Sequence, residues 1–172
     1  MLNPNCKFKG VQLALLLLGL VIITPKSQAL ELLGFEHANL KNGQVSSLNH
    51  LKGKPSLMMF FEPECPWCFK QGKAFNRLLA QCDNKVNIVA MGANADRSSL
   101  KKTLWKMHLD FDGFEAGPTM MQQVGQLPAT PITLLLDEQG NLVSYLRGYV
   151  KDAQLQELLP KVLGVNCLTD VG

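Results

Sequence analysis

Histidine is scarce in this chain of 172 residues: there are three, His37, His50 and His108, and they lie far apart. Only one Cys-x-x-Cys occurs, Cys65-Pro66-Trp67-Cys68. A structural zinc site wants a second such pair or two closely spaced histidines, so a zinc module is the weaker reading and no metal is expected. Charge is also sparse, at 18% of residues, and the net charge of +3 does not belong to the body of the chain. Lys7, Lys9 and Lys26 stand before residue 30 with no acid among them, which leaves 14 of the 17 basic residues against 14 acids. A body so nearly neutral has no electrostatic hold on a phosphate backbone, and nucleic acid is not an expected partner. Internal repeats and low-complexity linkers are absent too. The length then permits one domain with appendages.

The first appendage is residues 1–29. Lys7 and Lys9 form a basic start, and Val11 to Ile23 is an apolar run of thirteen residues interrupted by Gln12 and Gly19. Ser27-Gln28-Ala29 then supplies small residues. The run is short for a membrane span, so it reads as a cleaved secretory signal, with an uncleaved signal anchor as the alternative. Cys6 precedes the apolar run and does not read as a lipoprotein cysteine. The remaining four cysteines, Cys65, Cys68, Cys82 and Cys167, are an even number, as suits an exported protein in an oxidising, periplasmic type of compartment.

Ser56 to Phe61 is a compact apolar run that reads as a buried strand. Cys68, Gly72, Phe75, Leu79 and Cys82 then recur at helical spacing. Cys65 therefore stands at a helix N-terminus, where unpaired N–H groups and the helix dipole favour thiolate over thiol. Pro66 suits the first helical turn. Cys68, one turn further in, can attack a mixed disulfide on Cys65. Together these are the minimum apparatus for thiol–disulfide exchange.

Around this motif the chain alternates strand and helix. Leu30 to Lys54 is a lead-in, with a turn expected at Lys41-Asn42-Gly43-Gln44, where Asn-Gly favours a hairpin, and a short helical turn from Ser46 to Leu51. His37 and His50 read as surface residues. Val86 to Met91 is the next strand, expected parallel to the first through a right-handed crossover. Arg97 to His108 is an amphipathic helix whose Lys101, Lys102 and Lys106 form a solvated face, with Trp105 and His108 read as packing residues. Phe111 to Gln126 reads as a loop plus a short helix at Met120 to Val124. Ile132 to Asp137 and Leu142 to Leu146 form a hairpin, and Lys151 to Leu163 the last helix.

The chain resembles the thioredoxin superfamily, most closely its secreted bacterial TlpA/ResA/DsbE-like thiol–disulfide oxidoreductases. The resemblance is carried by Leu48 to Pro55, by Phe60-Phe61-Glu62-Pro63-Glu64-Cys65-Pro66-Trp67-Cys68, by Ala129-Thr130-Pro131 before Ile132 to Asp137, and by the terminal hairpin with Gly148. It implies an α/β thioredoxin fold over residues 30–172: a central mixed β-sheet with helices on both faces and the Cys-x-x-Cys at a helix start. It implies catalysis by Cys65 and Cys68 with no cofactor beyond their redox-active disulfide. Pro131 is then expected to be cis beside the pair, ahead of its rival Pro128, leaving the Thr130 backbone free to meet an extended substrate. Protein thiols or disulfides are the implied substrates, and a membrane electron donor or acceptor the implied partner. Reduction is the first reading of direction; oxidation or isomerisation is the alternative.

Departures from the family concern tuning. Met59 stands where many members keep a buried carboxylate, and Gln71 where ResA-like members carry a glutamate. Glu62 and Glu64 flank the motif, and near Cys65 they would raise its pKa. Glu62 also occupies the position of the hydroxyl residue that a peroxiredoxin needs. Pro66 and Trp67 replace the Gly-Pro of reducing thioredoxins, and Trp67 is expected to form an apolar docking surface. A reading of another class is a copper(I) module, with Met120 and Met121 joining the two thiolates. In the architecture that the resemblance implies, the first and last helices share a face of the sheet, so Cys82 and Cys167 are expected to form a structural disulfide at its far end.

Overall fold

The computed structural model describes residues 32–167; the segment read as a signal lies outside the described residues. Five strands form one sheet: β3 (Ser56–Phe61), β4 (Asn87–Gly92), β5 (Gly113–Glu115), β6 (Ile132–Leu136) and β7 (Leu142–Arg147), in the order β5-β4-β3-β6-β7. A small separate hairpin, β1 (Glu36–Ala38) and β2 (Val45–Ser47), precedes them. Pairs β3/β4 and β4/β5 are parallel, whereas β3/β6 and β6/β7 are antiparallel.

β3 is the central strand, and all six of its residues are buried. Its alternation divides the core. Leu57, Met59 and Phe61 face a cluster with Phe75, Leu78, Leu104 and Leu155, while Met58 and Phe60 face Leu32, Leu33, Leu48 and Met120. Burying a side chain of this size is worth ~1.5–3 kcal/mol, so the strand that carries the site is also the best anchored. The crossovers from β3 to β4 and from β4 to β5 step in the same direction across the sheet. A common right-handed sense therefore puts both linking helices, α1 (Pro66–Cys82) and α2 (Arg97–Met107), on one face. α4 (Asp152–Leu163) joins them there through Leu155 and Leu159, and α3 (Pro118–Val124) covers the other face through Met120.

Helix ends follow local chemistry. Asp96 caps α2, its carboxylate accepting from Ser99 N at 3.0 Å. Pro118 opens α3 as Pro66 opens α1. Asp83 and His108 close α1 and α2 in left-handed conformations.

Several expectations are corrected. Gly113–Glu115 is a strand, not loop. The turn expected at Lys41 to Gln44 does join a hairpin, β1 and β2, whose connection is the six residues 39–44, with Asn39 Oδ1 accepting from Lys41 N at 2.8 Å. Ser46 and Ser47 belong to β2, and only Asn49–Leu51 forms a 3-10 turn. His37 is buried, not on the surface, and its Nδ1 lies 3.2 Å from the Glu115 carbonyl oxygen. His50 is exposed. Trp105 and His108 are exposed and do not pack in the core; their rings lie 5.9 Å apart, beside an open cavity of ≈ 320 Å³ that also touches Leu40 and Leu109.

Candidate active site

The site forms where β3 ends and α1 begins. Cys65 is the N-cap of α1, in extended conformation, and Pro66 is the first helical residue. This geometry turns the Cys65 sulfur back onto the helix: Sγ accepts from Cys68 N at 3.1 Å. An N–H donor there stabilises negative charge on that sulfur. The two cysteines are joined as a disulfide, with Cα atoms 5.3 Å apart. Cys65 is the outer member at 9% exposure and Cys68 the inner at 0%. An incoming sulfur therefore reaches Cys65 first.

The loop before β6 forms the facing wall. The Thr130–Pro131 peptide bond is cis, and the Thr130 carbonyl oxygen lies 3.4 Å from Cys65 Sγ. Pro131 is buried, and its own carbonyl accepts from Gly148 N at 2.8 Å, which ties this wall to the end of β7. Pro128 is exposed and takes no part.

Trp67 lies on the rim, half exposed, stacked on Tyr149 with ring centroids 6.2 Å apart. Lys70 Nζ sits 4.1 Å from the Trp67 ring centre. Tyr149 is a rim residue that sequence reasoning missed; it lies in the β7–α4 loop, and only the tertiary fold carries it to Trp67. Gln71 is buried in α1, one turn after Cys68. Its Oε1 accepts from Val150 N at 2.7 Å, which orients the amide, and its Nε2 has no partner among the described residues. Met59, six residues before Cys65, packs in the same core cluster, so no carboxylate stands at that position. Glu64 is exposed, whereas Glu62 is partly buried and bonded to Asn94 and Thr130.

The remaining candidates separate. Met120 is fully buried in the cluster on the opposite side of the sheet from Cys65 and Cys68, so the methionine pair does not join the thiolates. Cys82 and Cys167 form a second disulfide, with Cα atoms 4.1 Å apart, at the end of α1 distant from Cys65. Among the described residues no cluster of three His, Cys, Asp or Glu side chains could hold a metal ion.

A thioredoxin fold with a Cys-x-x-Cys disulfide opening the helix after its central strand defines a thiol–disulfide oxidoreductase. Comparison with known families agrees: the thioredoxin-like domain model matches residues 47–163, and the chain belongs to that family. A thiol–disulfide oxidoreductase ResA from Bacillus thuringiensis is 26% identical over 122 residues, 70% of each chain. A secreted Mycobacterium tuberculosis disulfide oxidoreductase homologous to E. coli DsbE superposes with a TM-score of 0.64 at 19% identity, over 77% of this chain and 98% of that one. A thiol:disulfide interchange protein from Chlorobium tepidum gives 0.65 at 19% identity, over 76% and 93%. Both structures share the fold.

Proposed function

We propose that this protein is an exported reductase of selected protein disulfides, recharged by a membrane electron donor. The observation that carries the reading is the arrangement of the pair: Cys65, the outer sulfur, at the helix N-terminus, backed by a fully buried Cys68. In the forward step the Cys65 thiolate attacks a substrate disulfide, forms a mixed disulfide and expels one substrate thiolate. Cys68, deprotonated, then attacks Cys65 Sγ. The substrate's second thiolate leaves, and two electrons have passed from the pair to the substrate. The Cys65–Cys68 disulfide is the product state of that cycle.

The wall before Pro131 and the plate of Trp67 and Tyr149 leave a surface on which an extended, partly apolar segment can lie across Cys65. An exported location is supported by the basic start and apolar run of residues 1–29 and by the secreted character of the mycobacterial relative. Among the described residues no helix is long and apolar enough to cross a membrane. A disulfide oxidase or isomerase is the second reading, favoured by the Cys68 N–H bond that would stabilise a Cys65 thiolate and with it the reduced form.

The redox potential of the Cys65–Cys68 couple, measured against glutathione, decides between them. Reduction calls for a value near the thioredoxin figure of about −270 mV. A value near about −120 mV would assign the protein to the oxidases.

A further inference from the structure

Glu62 stands just past the end of β3, three residues before Cys65, and its carboxylate is shared between two other loops. Oε1 accepts from Nδ2 of Asn94, which follows β4, and Oε2 faces Oγ1 of Thr130 at 3.5 Å. The Asn94 bond is the tighter arm and the Thr130 bond the longer one. Thr130 in turn sets its carbonyl oxygen 3.4 Å from Cys65 Sγ. One anion thus ties the ends of β3 and β4 to the wall that faces the outer sulfur.

This arrangement bears on ionisation of Cys65 in the reduced protein. A thiol can donate its S–H to the Thr130 carbonyl; a thiolate has no proton to give and meets the oxygen's lone pairs. The Glu62 carboxylate, which faces the Thr130 hydroxyl, adds repulsion of the same sign. Both oppose the helix terminus and the Cys68 N–H, which favour thiolate. The other charged or titratable groups at this end include the Cys68 thiol of the reduced pair, Glu64 on the same loop, Asp96 and Arg97 at the start of α2, Glu115 paired with Arg97, Lys70 and Tyr149 against Trp67, and Arg147, paired with Ile132 across β6 and β7. Among the described residues the one hydrogen bond of the Thr130 side chain is to the Glu62 carboxylate.

We propose that Glu62 is a positioning residue for disulfide exchange: gripped by Asn94, it holds the Thr130 wall against Cys65 and restrains ionisation of the Cys65 thiol. The inference rests on the reading of Cys65 as the redox nucleophile. Its consequence is directional. A reduced form that is not stabilised as thiolate gives up its electrons more readily, so Glu62 biases the pair toward donation.

The test compares the wild type with Glu62→Gln, Thr130→Val and the double variant. Glutamine can keep a bond to Asn94 while losing the charge. Two quantities are read: the pH dependence of Cys65 alkylation by iodoacetamide in the reduced protein, and the pH dependence of the potential in glutathione buffers. Glu62→Gln should raise the acid dissociation constant of Cys65 by ~3- to 10-fold and move the bend in the potential–pH curve to lower pH. Thr130→Val should move both the same way by less. The double variant should match Glu62→Gln alone, because the Thr130 hydroxyl acts through that carboxylate. An unmoved or lowered dissociation constant in Glu62→Gln overturns the proposal, as do strictly additive shifts. Failure of the wild-type pair to equilibrate with glutathione would instead overturn the redox reading itself.

Discussion

Removing the bridge between Cys82 and Cys167 should be among the most costly changes that leave the active site intact. Cys82 is the last residue of α1 and Cys167 follows α4; both are buried, at 0% and 4% exposure. They meet because α1 and α4 lie on the same face of the sheet and both run away from the Cys65 end. The bridge spans 85 residues, and the chain-entropy model converts a loop of that size into ~4.5 kcal/mol of stabilisation. The Cys65–Cys68 bridge closes only three residues and restrains the unfolded chain far less. The double variant Cys82→Ala/Cys167→Ala should therefore lower the urea midpoint by ~2 M for a slope near ~2 kcal/mol per M. The slope itself should rise, since an unfolded chain without the cross-link exposes more surface. Tryptophan fluorescence under urea, with the Cys65–Cys68 pair kept oxidised in both proteins, reads both quantities. A midpoint within ~0.3 M of the wild type with an unchanged slope would refute the claim that this bridge restrains the unfolded state.

Gly113 lies where β5 passes beneath α2, and a Cβ there would stand 2.4 Å from Leu104 Cδ1 and 2.7 Å from Cδ2. Gly113→Ala should cost ~1–3 kcal/mol by overpacking, read as a lower thermal midpoint. Burial holds the His37 imidazole below its ordinary pKa, against the opposing bond to the Glu115 carbonyl. The unfolded chain then takes up a proton below about pH 6.5 that the folded protein resists, so this contribution is full above that pH and is lost as pH falls toward the folded value. Urea midpoints at two pH values on either side should differ in the wild type and differ less in His37→Asn, whose amide can still donate to the Glu115 carbonyl. Trp67→Ala should raise KM for a protein disulfide while turnover of oxidised glutathione and the unfolding midpoint stay nearly unchanged. Equal losses with both substrates would remove Trp67 from the docking surface.

Legibility in the sequence followed element length and the locality of the cause. β3 and the start of α1 were readable because a six-residue apolar run and a proline at the first helical position are local signals. α2 and α4 showed through apolar spacing, and their observed bounds differ by a residue from those expected. β5 was not readable: three residues, one of them Gly113, are too few to display alternation, and the strand exists because β4 offers it a parallel edge. His37 misled because nothing near it in the chain shows that β1 packs against β5; the Glu115 carbonyl that it meets is 78 residues away. Trp105 misled in the opposite sense, since an aromatic beside an apolar helix face can point to either side of the boundary. At the site, the cysteines could be named from their motif, and Thr130 and Pro131 from the family resemblance. The contacts of Glu62 with Asn94 and Thr130 span 32 and 68 residues and belong to the tertiary fold alone.

The central claim is that Cys65 attacks and Cys68 resolves. Trapping tests it most directly. Purified Cys68→Ser and Cys65→Ser variants, each reduced, are mixed with an unfolded protein carrying a disulfide, quenched with acid and run on non-reducing gels. The geometry predicts mixed disulfides that persist with Cys68→Ser, because Cys65 is the outer sulfur and its resolver is gone, and none with Cys65→Ser, whose remaining thiol is fully buried. Mixed disulfides accumulating with Cys65→Ser, and not with Cys68→Ser, would contradict the assignment of both roles.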